Sequence, residues 1–398
     1  MRQTGKAWLT ILLCVVLATG CWDRREIDEL TIVVAMGIDK TEEKGVYRTS
    51  FQFVNPREIA GQEGAGRTTA TTVYVTTGST LFEAIRSASR ISPRRLYFGS
   101  TRVMVIGESL AREGIHEVFD LVHRNPELRT TIQPIIARGT SAESIVSTVT
   151  PLTAVPAEKM RMSLQITERV WGENLQVDSD EVVNVMVSAG SDPVISGIRL
   201  TGDSEVSGMQ ESIGSIQPRA RLEYGGLGLF RKDRLVRWVD HHAARGVLWA
   251  MDRITATLVM VECDQKPRGA GISIIRNQTD MEAVLNGEKP EIRLSIRPTG
   301  LIGEVKCKVD LNDPKEILKL EKALSRAIKR EVMAAVESAK KAKSDVFGFG
   351  DAVNRADKKR WKKWKEKWDR IFPTISVKVD VDSSIRRSGL RGEPFSPE

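Results

Sequence analysis

Histidine is the commonest metal ligand in proteins, and the chain carries four: His116, His123, His241 and His242. The adjacent pair diverges on a helix or strand, and no cysteine lies beside any of the four at the spacing of a zinc site. The sequence also lacks the Gly-x-Ser-x-Gly turn of a hydrolase nucleophile and the Gly-Lys-Ser/Thr end of a phosphate-binding loop. We therefore predict no catalytic residue, no metal site and no bound cofactor.

Cys21 is different, because its surroundings indicate a defined covalent modification. Arg2 and Lys6 precede a short apolar run, which is the layout of a secretory signal peptide over residues 1–20. The run is shorter than the roughly 20 residues of a membrane-spanning helix. It ends in Leu17-Ala-Thr-Gly-Cys21, which resembles the lipobox of bacterial lipoproteins and implies an acylated cysteine at the start of the mature chain. The alternative is an ordinary signal peptide followed by a chance cysteine.

The overall charge of the chain is mildly basic. Sixty lysines and arginines stand against 52 acids, which gives a net charge of +8 over 398 residues. Such an excess permits contact with an anionic surface and does not indicate nucleic-acid binding. Hydrophobic residues make up 41% and charged residues 28% of the chain, which is the composition of a folded protein with buried cores.

Positive charge is concentrated near the C-terminus, in a segment that also carries aromatic residues at helical spacing. Residues 358–370 hold eight cations and two acids, and Trp361, Trp364, Trp368 and Phe372 recur on one helix face. One interpretation is a helix that docks on an anionic lipid surface or an acidic partner. The favoured interpretation is an ordinary amphipathic helix with buried aromatics and solvated cations. The cations of the candidate docking surface are Lys358, Lys359, Arg360, Lys362, Lys363, Lys365 and Lys367.

Two further cysteines, Cys263 and Cys307, lie in apolar segments that are predicted to form strands. An exported pair of cysteines is able to form a disulfide. The interpretation we favour from the sequence is instead two small buried apolar residues. Two cysteines do not make a disulfide framework for a chain of this length.

Residues 21–140 alternate between strand and helix patterns and are predicted to form an N-terminal α/β domain. β-branched residues dominate 31–38, and polar and apolar residues alternate over 46–54, both typical of strands. Thr80 opens a helix with a capping box, and a second helix is predicted over 108–124. The predicted order of elements is β-β-β-α-β-α-β.

The remainder of the chain is predicted to add a middle region and a second domain. Residues 141–217 are read as a helical region and a Gly/Ser-rich linker, 218–390 as a C-terminal α+β domain, and 391–398 as a tail. The last domain carries a long helix from Asp313 to about Ser344 and another over 352–371. The predicted fold class is therefore a multi-domain, mixed α/β (α+β) protein, with mixed sheets flanked by helices.

Several motifs together resemble one family. They are Cys21-Trp-Asp-Arg-Arg-Glu-Ile-Asp-Glu-Leu30, Gly228-Leu-Phe-Arg-Lys-Asp-Arg-Leu-Val-Arg-Trp238, Ala244-Arg-Gly-Val-Leu-Trp249 and Ser344-Asp-Val-Phe-Gly-Phe-Gly-Asp351. The chain resembles the Ger(x)C lipoproteins, the C subunits of nutrient germinant receptors in spore-forming bacteria. The resemblance supplies no ligand-contact residues, and Asp345, Phe347, Gly348 and Gly350 are interpreted as structural.

The resemblance implies a three-domain α/β protein tethered by lipid to the outer face of the cell membrane, which is the inner membrane of the dormant spore. It implies two integral-membrane partners, the A and B subunits, and no enzymatic activity. One alternative is a lipoprotein that captures a small nutrient in a domain cleft and presents it to a transporter. An enzyme such as a cell-wall hydrolase is the least favoured, because the sequence lacks its motifs.

Overall fold

The computed structural model describes residues 29–55, 59, 69–212, 214, 216–285, 287 and 289–386. The predicted signal peptide, Cys21 and the tail 391–398 lie outside these residues. The strands of its largest sheet are β1 (Leu30–Lys40), β2 (Tyr47–Val54), β3 (Thr71–Gly78), β4 (Arg95–Tyr97), β5 (Val103–Gly107), β6 (Gln133–Ala137), β7 (Val194–Gly202), β8 (Ala220–Arg231) and β9 (Arg234–Val239).

This nine-stranded sheet has a parallel centre and antiparallel flanks, in the order β3-β2-β1-β5-β6-β7-β8-β9 with β4 beside β1. The strands β1, β5, β6 and β7 run parallel to one another and therefore begin at the same end of the sheet. The strands β2, β3, β8 and β9 are antiparallel to their neighbours. The helices in this part are α1 (Leu81–Ser87), α2 (Glu108–Glu113), α3 (His116–Arg124), α4 (Ala142–Ser147), α5 (Pro156–Val170) and α6 (Ser179–Val187).

Both faces of the parallel strands are buried, because side chains alternate between two cores. Ala35, Val103 and Val105 belong to one core, which is closed by apolar residues of α4 and α5. Met104 and Ile106 belong to the other core, which continues into the C-terminal part of the chain. The near-continuous apolar composition of these strands follows from this double burial.

The C-terminal part combines two smaller sheets with a long helix. The four-stranded sheet has the order β10-β11-β14-β16, and the three-stranded sheet the order β12-β13-β15. The strands are β10 (Thr257–Cys263), β11 (Lys266–Arg276), β12 (Thr279–Val284), β13 (Glu291–Ile296), β14 (Thr299–Val305), β15 (Ser376–Val381) and β16 (Ser384–Arg386). The helices are α7 (His241–Ala250), α8 (Pro314–Ala342), α9 (Phe349–Ala356), α10 (Lys358–Trp364) and α11 (Trp368–Ile371).

The predicted long helix is α8, and its start is the predicted one. The Asp313 side chain accepts a hydrogen bond from Lys315 N at 2.8 Å, and Pro314 occupies the first turn. Leu324, Ile328 and other residues at helical spacing bury one face against the core. Mixed sheets, flanking helices and this long helix confirm the predicted fold class.

Two predicted helices are interrupted in the structure. The helix predicted over 108–124 is α2 and α3, because Gly114 adopts φ +148 between them. The helix predicted over 352–371 is α9, α10, a short 3-10 turn and α11. Asp357 leaves the helical conformation and its side chain accepts from Lys359 N and Arg360 N, so it caps a new helix. Both predicted segments are therefore helical, but each is divided into shorter helices.

The strand β7 has no counterpart among the predicted strands. It pairs with β6 on one side and with β8 on the other. The strands before and after the predicted linker therefore belong to the same sheet. The predicted linker is the connection of this β7–β8 hairpin, of which residues 213 and 215 lie outside the described part. The domain boundary at 217/218 stays a prediction.

Cys263 and Cys307 form a disulfide, with their Cα atoms 5.9 Å apart, so the favoured prediction of two unbonded cysteines is wrong. The strand β11 brings the two segments together. Its residue Gly269 lies against Cys263 and accepts a hydrogen bond from Lys306 N, the neighbour of Cys307, at 2.7 Å. The pairing depends on this register, which composition alone does not reveal. A disulfide is in keeping with the export that the leader predicts.

Candidate functional site

The turn that follows α8 is organised around one buried carboxylate, that of Asp345. Its Oδ1 accepts from Phe349 N at 3.0 Å, and its Oδ2 accepts from Gly350 N and from Trp368 Nε1, both at 2.8 Å. The backbone N–H of Asp345 donates to Asp192 Oδ2 at 2.8 Å. Asp345 therefore joins the end of α8, the start of α9, the Trp368 ring and the segment that leads into β7.

Burial raises the pKa of Asp345 to about 7, and the nearby Asp192 carboxylate acts in the same direction. The three N–H donors act in the opposite direction and lower this pKa. The pKa of Asp192 is raised as well, chiefly by burial. Asp345 is only 2% exposed. Among the described residues no cation pairs with this carboxyl group, which is held by hydrogen bonds from uncharged N–H donors.

The glycines of the same turn permit close packing. Gly348 has φ +73, a left-handed conformation that residues with a Cβ atom rarely adopt. A Cβ atom on Gly350 would lie 2.6 Å from the Cα of Gly190, which precedes β7. Both observations agree with the structural interpretation that the sequence analysis gives to these residues.

Aromatic side chains fill the space below the basic segment. Trp361 and Trp368 are buried and meet edge to face with ring centroids 5.2 Å apart. The Phe372 ring lies 6.5 Å from that of Trp368 and 6.1 Å from that of Phe349. Trp364 is half-buried against the same core. The segment therefore presents its aromatic side to the protein interior, as the favoured amphipathic interpretation predicts.

The opposite side of this segment is cationic, and we call it the lysine surface. It consists of the six exposed residues Lys358, Lys359, Lys362, Lys363, Lys365 and Lys367. Arg360, predicted with them, is half-buried and donates to the carbonyl oxygens of Leu285 and Gly287. The structure thus brings the six lysines together on α10 and the turn after it, and gives Arg360 a role in holding α10 in place.

A buried ion pair fastens α7 to α8. Arg245 donates through Nε to Glu331 Oε2 at 2.8 Å, and Trp249 Nε1 donates to the same oxygen at 3.0 Å. A second Arg245 nitrogen contacts Glu331 Oε1, and a third donates to Leu258 O at 2.9 Å. Burial would raise the pKa of Glu331, but hydrogen bonds from Arg245 and His242 outweigh it and the pKa is lowered. The Ala244–Trp249 motif therefore packs α7 against α8 and supplies the partners of the buried Glu331 carboxylate.

The motif that ends at Trp238 also makes structural contacts. The guanidinium of Arg138 lies 4.6 Å from the centroid of the Trp238 ring and pairs with Asp240. Trp238 Nε1 donates to Glu108 Oε1 at 3.0 Å. These contacts connect β9 to α2 and to the end of β6.

The four histidines lie on two helices, two on α3 and two on α7. Nδ1 of His116 lies 3.0 Å from Asp233 Oδ2, and Nδ1 of His242 lies 3.1 Å from Glu331 Oε1. His123 is exposed on α3. Across the residues that the structure describes, no group of three or more potential metal ligands is assembled.

Two cavities flank α6, and neither is predicted by the sequence analysis. The larger, about 1060 Å³, lies between α3 and α6 and exposes Phe82, Met186 and Val187. The smaller, about 370 Å³, lies between α6 and the turn that follows α8, and includes Phe347 and Arg355. Both depend on how separate helices pack together, so no motif marks them.

Comparison with known families identifies the chain. Residues 23–200 match the family model described as the spore germination protein N-terminal domain. Residues 225–389 match the model described as spore germination B3/GerAC like, C-terminal. The chain belongs to the GerAC family of spore germination proteins. The resemblance to Ger(x)C proteins that the motifs indicate is thereby confirmed.

Relatives of this GerAC-family chain extend over its whole length. Spore germination protein KC of Bacillus subtilis (strain 168) is 33% identical over 97% of this chain and 96% of its own. Spore germination protein B3 of the same organism is 22% identical over 98% of this chain and 100% of its own. The crystal structure of the GerBC protein has the same fold, with a TM-score of 0.55 and 18% identity over 91% of this chain and 99% of that one.

The predicted membrane attachment of this GerAC-family chain concerns residues outside the described part. Cys21 is among those residues, so its predicted acylation stays a prediction. Within the part that the structure describes, no helix has the length and hydrophobicity needed to cross a bilayer.

Proposed function

We propose that this chain is a lipid-anchored, non-enzymatic C subunit of a spore nutrient germinant receptor. In this role it acts with integral-membrane A and B subunits at the inner spore membrane to trigger germination. The observation that carries the proposal is the near full-length similarity to spore germination protein KC. Similarity to spore germination protein A3, which covers 33% of this chain, supports the same assignment.

The anchor is attributed to Cys21. The sequence Leu17-Ala-Thr-Gly-Cys21 after a short apolar run supports cleavage before the cysteine and acylation of its thiol. Each buried methylene contributes about 0.8 kcal/mol, and a single acyl chain binds a membrane only marginally. A diacylglyceryl group supplies two chains, so attachment becomes stable.

Attachment gives the folded body its function without catalysis. A protein confined to a thin layer beside the bilayer meets integral-membrane partners at a raised effective concentration. Weak protein–protein contacts then suffice for assembly. The polar network around Asp345 and the Arg245–Glu331 pair keep the sheets and helices in a fixed arrangement for such contacts.

Replacement of Cys21 tests the proposal. We expect Cys21→Ala to move the protein from the membrane fraction to the soluble fraction of spore lysates washed at high salt, which releases peripheral electrostatic contacts. We also expect it to slow germination in mixed amino acids and sugars. The matched control is Cys14→Ala, which makes the same substitution at a cysteine of the leader and leaves the lipobox intact. Unchanged membrane retention and germination in Cys21→Ala spores would refute the proposed anchor and role.

A second candidate is a lipoprotein that binds a small nutrient and presents it to a transporter. The cavity of about 370 Å³ beside Phe347 favours it, because small-molecule sites begin at about 300 Å³. Calorimetric titration of the mature chain with single amino acids and sugars distinguishes the two. Micromolar binding by this chain alone supports the second candidate, and absence of binding supports the receptor-subunit assignment.

A further inference from the structure

The lysine surface has few acidic partners. Of its six side chains, only Lys365 has an ion pair among the described residues, with Glu366 at a long 3.5 Å. Residues 358–370 carry eight cations against Glu366 and Asp369, a local net charge of +6. A surface that neutralised its own charge would not attract an anionic ligand, and this one keeps its charge available.

The aromatic residues of the segment do not contribute to that surface. Trp361 and Trp368 are 6% and 5% exposed, and Trp368 Nε1 is committed to Asp345. Interfaces between proteins gain most of their affinity from buried aromatic and arginine anchors, and lysine is depleted there. The exposed side chains here are lysines, whose compact, hydrated ammonium groups suit a diffuse anionic layer better than a shaped protein pocket.

The topology places this surface near the point where the described chain begins. The strands β1 and β7 run parallel and are separated by β5 and β6, so their starting ends lie about 14 Å apart laterally. Leu30 starts β1, while Gly190, just ahead of β7, packs on Gly350 beneath the Trp361 ring. The eight residues from Cys21 to Asp28 span at most about 30 Å when extended. An anchor at Cys21 therefore keeps the lysine surface within reach of the same bilayer.

We propose that the lysine surface binds the anionic phospholipid headgroups of the membrane to which Cys21 is attached, and so fixes the orientation of the body on it. This inference rests on the proposed function for the identity of the membrane. Because the aromatic residues are buried, contact is peripheral and electrostatic. Such contact weakens as salt screens the charges.

Vesicle sedimentation of the mature chain with Cys21→Ser, which lacks the acyl anchor, tests the inference. The probes are vesicles of phosphatidylcholine alone and of phosphatidylcholine mixed with phosphatidylglycerol. We expect binding only to the mixed vesicles, with release at high salt. Changing Lys359, Lys362 and Lys363 to Gln should lower the partition coefficient about 100-fold, because each lysine near an anionic leaflet contributes roughly a factor of five.

The matched control changes three other exposed lysines, Lys308, Lys315 and Lys322, to Gln. Two of these lie in the first turns of α8, at least about 30 Å along that helix from its end at Ala342. We expect this variant to bind as the parent does. Both variants should unfold at the parent temperature, because all the altered side chains are exposed.

Equal losses in both variants would overturn the inference, since net charge alone would then explain the binding. Equal binding to vesicles with and without phosphatidylglycerol would overturn it too. If no vesicle binds the parent but the Lys359, Lys362 and Lys363 variant slows germination, the surface belongs to an acidic protein partner. That outcome contradicts lipid binding and leaves the anchored receptor subunit intact, because Cys21→Ala fractionation tests the anchor separately.

Discussion

Glu331 and Asp345 are two buried carboxylates whose pKa values are shifted in opposite directions. Glu331 lies on α8, and Asp345 lies in the turn that follows it. Glu331 faces the guanidinium of Arg245, and its pKa is lowered. Among the described residues, Asp345 accepts hydrogen bonds from neutral N–H donors and from no cation, and burial raises its pKa to about 7. Two contacts of the same helix region are therefore stabilised by different interactions. An ion pair joins α8 to α7, and hydrogen bonds join the turn after α8 to β7 and the basic segment.

The two carboxylates should therefore respond to pH in opposite directions. A lowered pKa means that the stabilisation by Glu331 is present above its unfolded pKa and is lost as pH falls through the folded value. A raised pKa means that the contribution of Asp345 is largest below its unfolded pKa of about 4 and declines as pH rises to about 7. Variants at each junction test this contrast.

The largest effect is expected from Arg245→Met, which leaves Glu331 buried without its cation. We expect the free energy of unfolding to fall by about 3–5 kcal/mol in urea titrations at neutral pH. The control adds Glu331→Leu, which removes the stranded charge and should restore most of the loss. A loss below about 1 kcal/mol in the single variant would contradict a stabilising role for this ion pair.

The next effect is a change of pH dependence in Asp345→Asn. The free energy of unfolding of the parent should contain a component that falls by about 1.4 kcal/mol per pH unit between pH of about 4 and about 7. The variant lacks it, so the stability advantage of the parent should shrink over this range and then level off. Urea titrations at several pH values measure the difference. A pH-independent difference would show that the carboxyl group does not titrate there.

A smaller effect is expected from Trp368→Phe, which removes the indole donor to Asp345 and keeps an aromatic ring. We expect a loss of about 1.5–3 kcal/mol at alkaline pH, because the donor serves a charged group there. The decline of stability with pH should also extend upward, since a hydrogen bond that lowers the pKa is gone. Trp249→Phe is the control, because it removes the equivalent donor from Glu331. The same upward extension in both variants would argue against a specific link to Asp345.

The smallest effect is expected from His242→Gln at the Glu331 junction. The hydrogen bond to Glu331 raises the pKa of His242, so its contribution is present below the unfolded pKa and is lost as pH rises through the folded value. The side chain is 66% exposed and solvent screens the pair, so we expect about 0.5 kcal/mol or less. Urea titrations at acidic and alkaline pH measure it. A loss above about 1 kcal/mol in the free energy of unfolding would contradict this expectation, because it would make His242 a major contributor to the contact between α7 and α8.

Much of the fold follows from local patterns in the sequence. The alternation over 46–54 and the cap at Asp313 predict β2 and α8, because they report burial and hydrogen bonding within a few residues. The spacing of Trp361 and Trp368 predicts a buried aromatic side and an exposed cationic one. These are the features that a single element determines by itself.

The rest depends on residues far apart in the chain. Arg245 meets Glu331, Asp192 meets Asp345, and Cys263 meets Cys307 only once the sheets and α8 have packed. No spacing in the sequence encodes these pairs. The sequence analysis does not predict β7, and its pairing with β6 and β8 in the structure is what assigns it to the largest sheet. The candidate surface was predictable in composition, while the contacts that hold it in place were not.

The proposed receptor role depends above all on the acylation of Cys21. Mass spectrometry of the N-terminal peptide, from protein purified out of spore membranes, tests this directly. We predict a peptide that begins at Cys21 and carries the mass of a diacylglyceryl group on its sulfur. A peptide with an unmodified Cys21, or one that retains residues of the leader, would contradict the proposed lipid anchor.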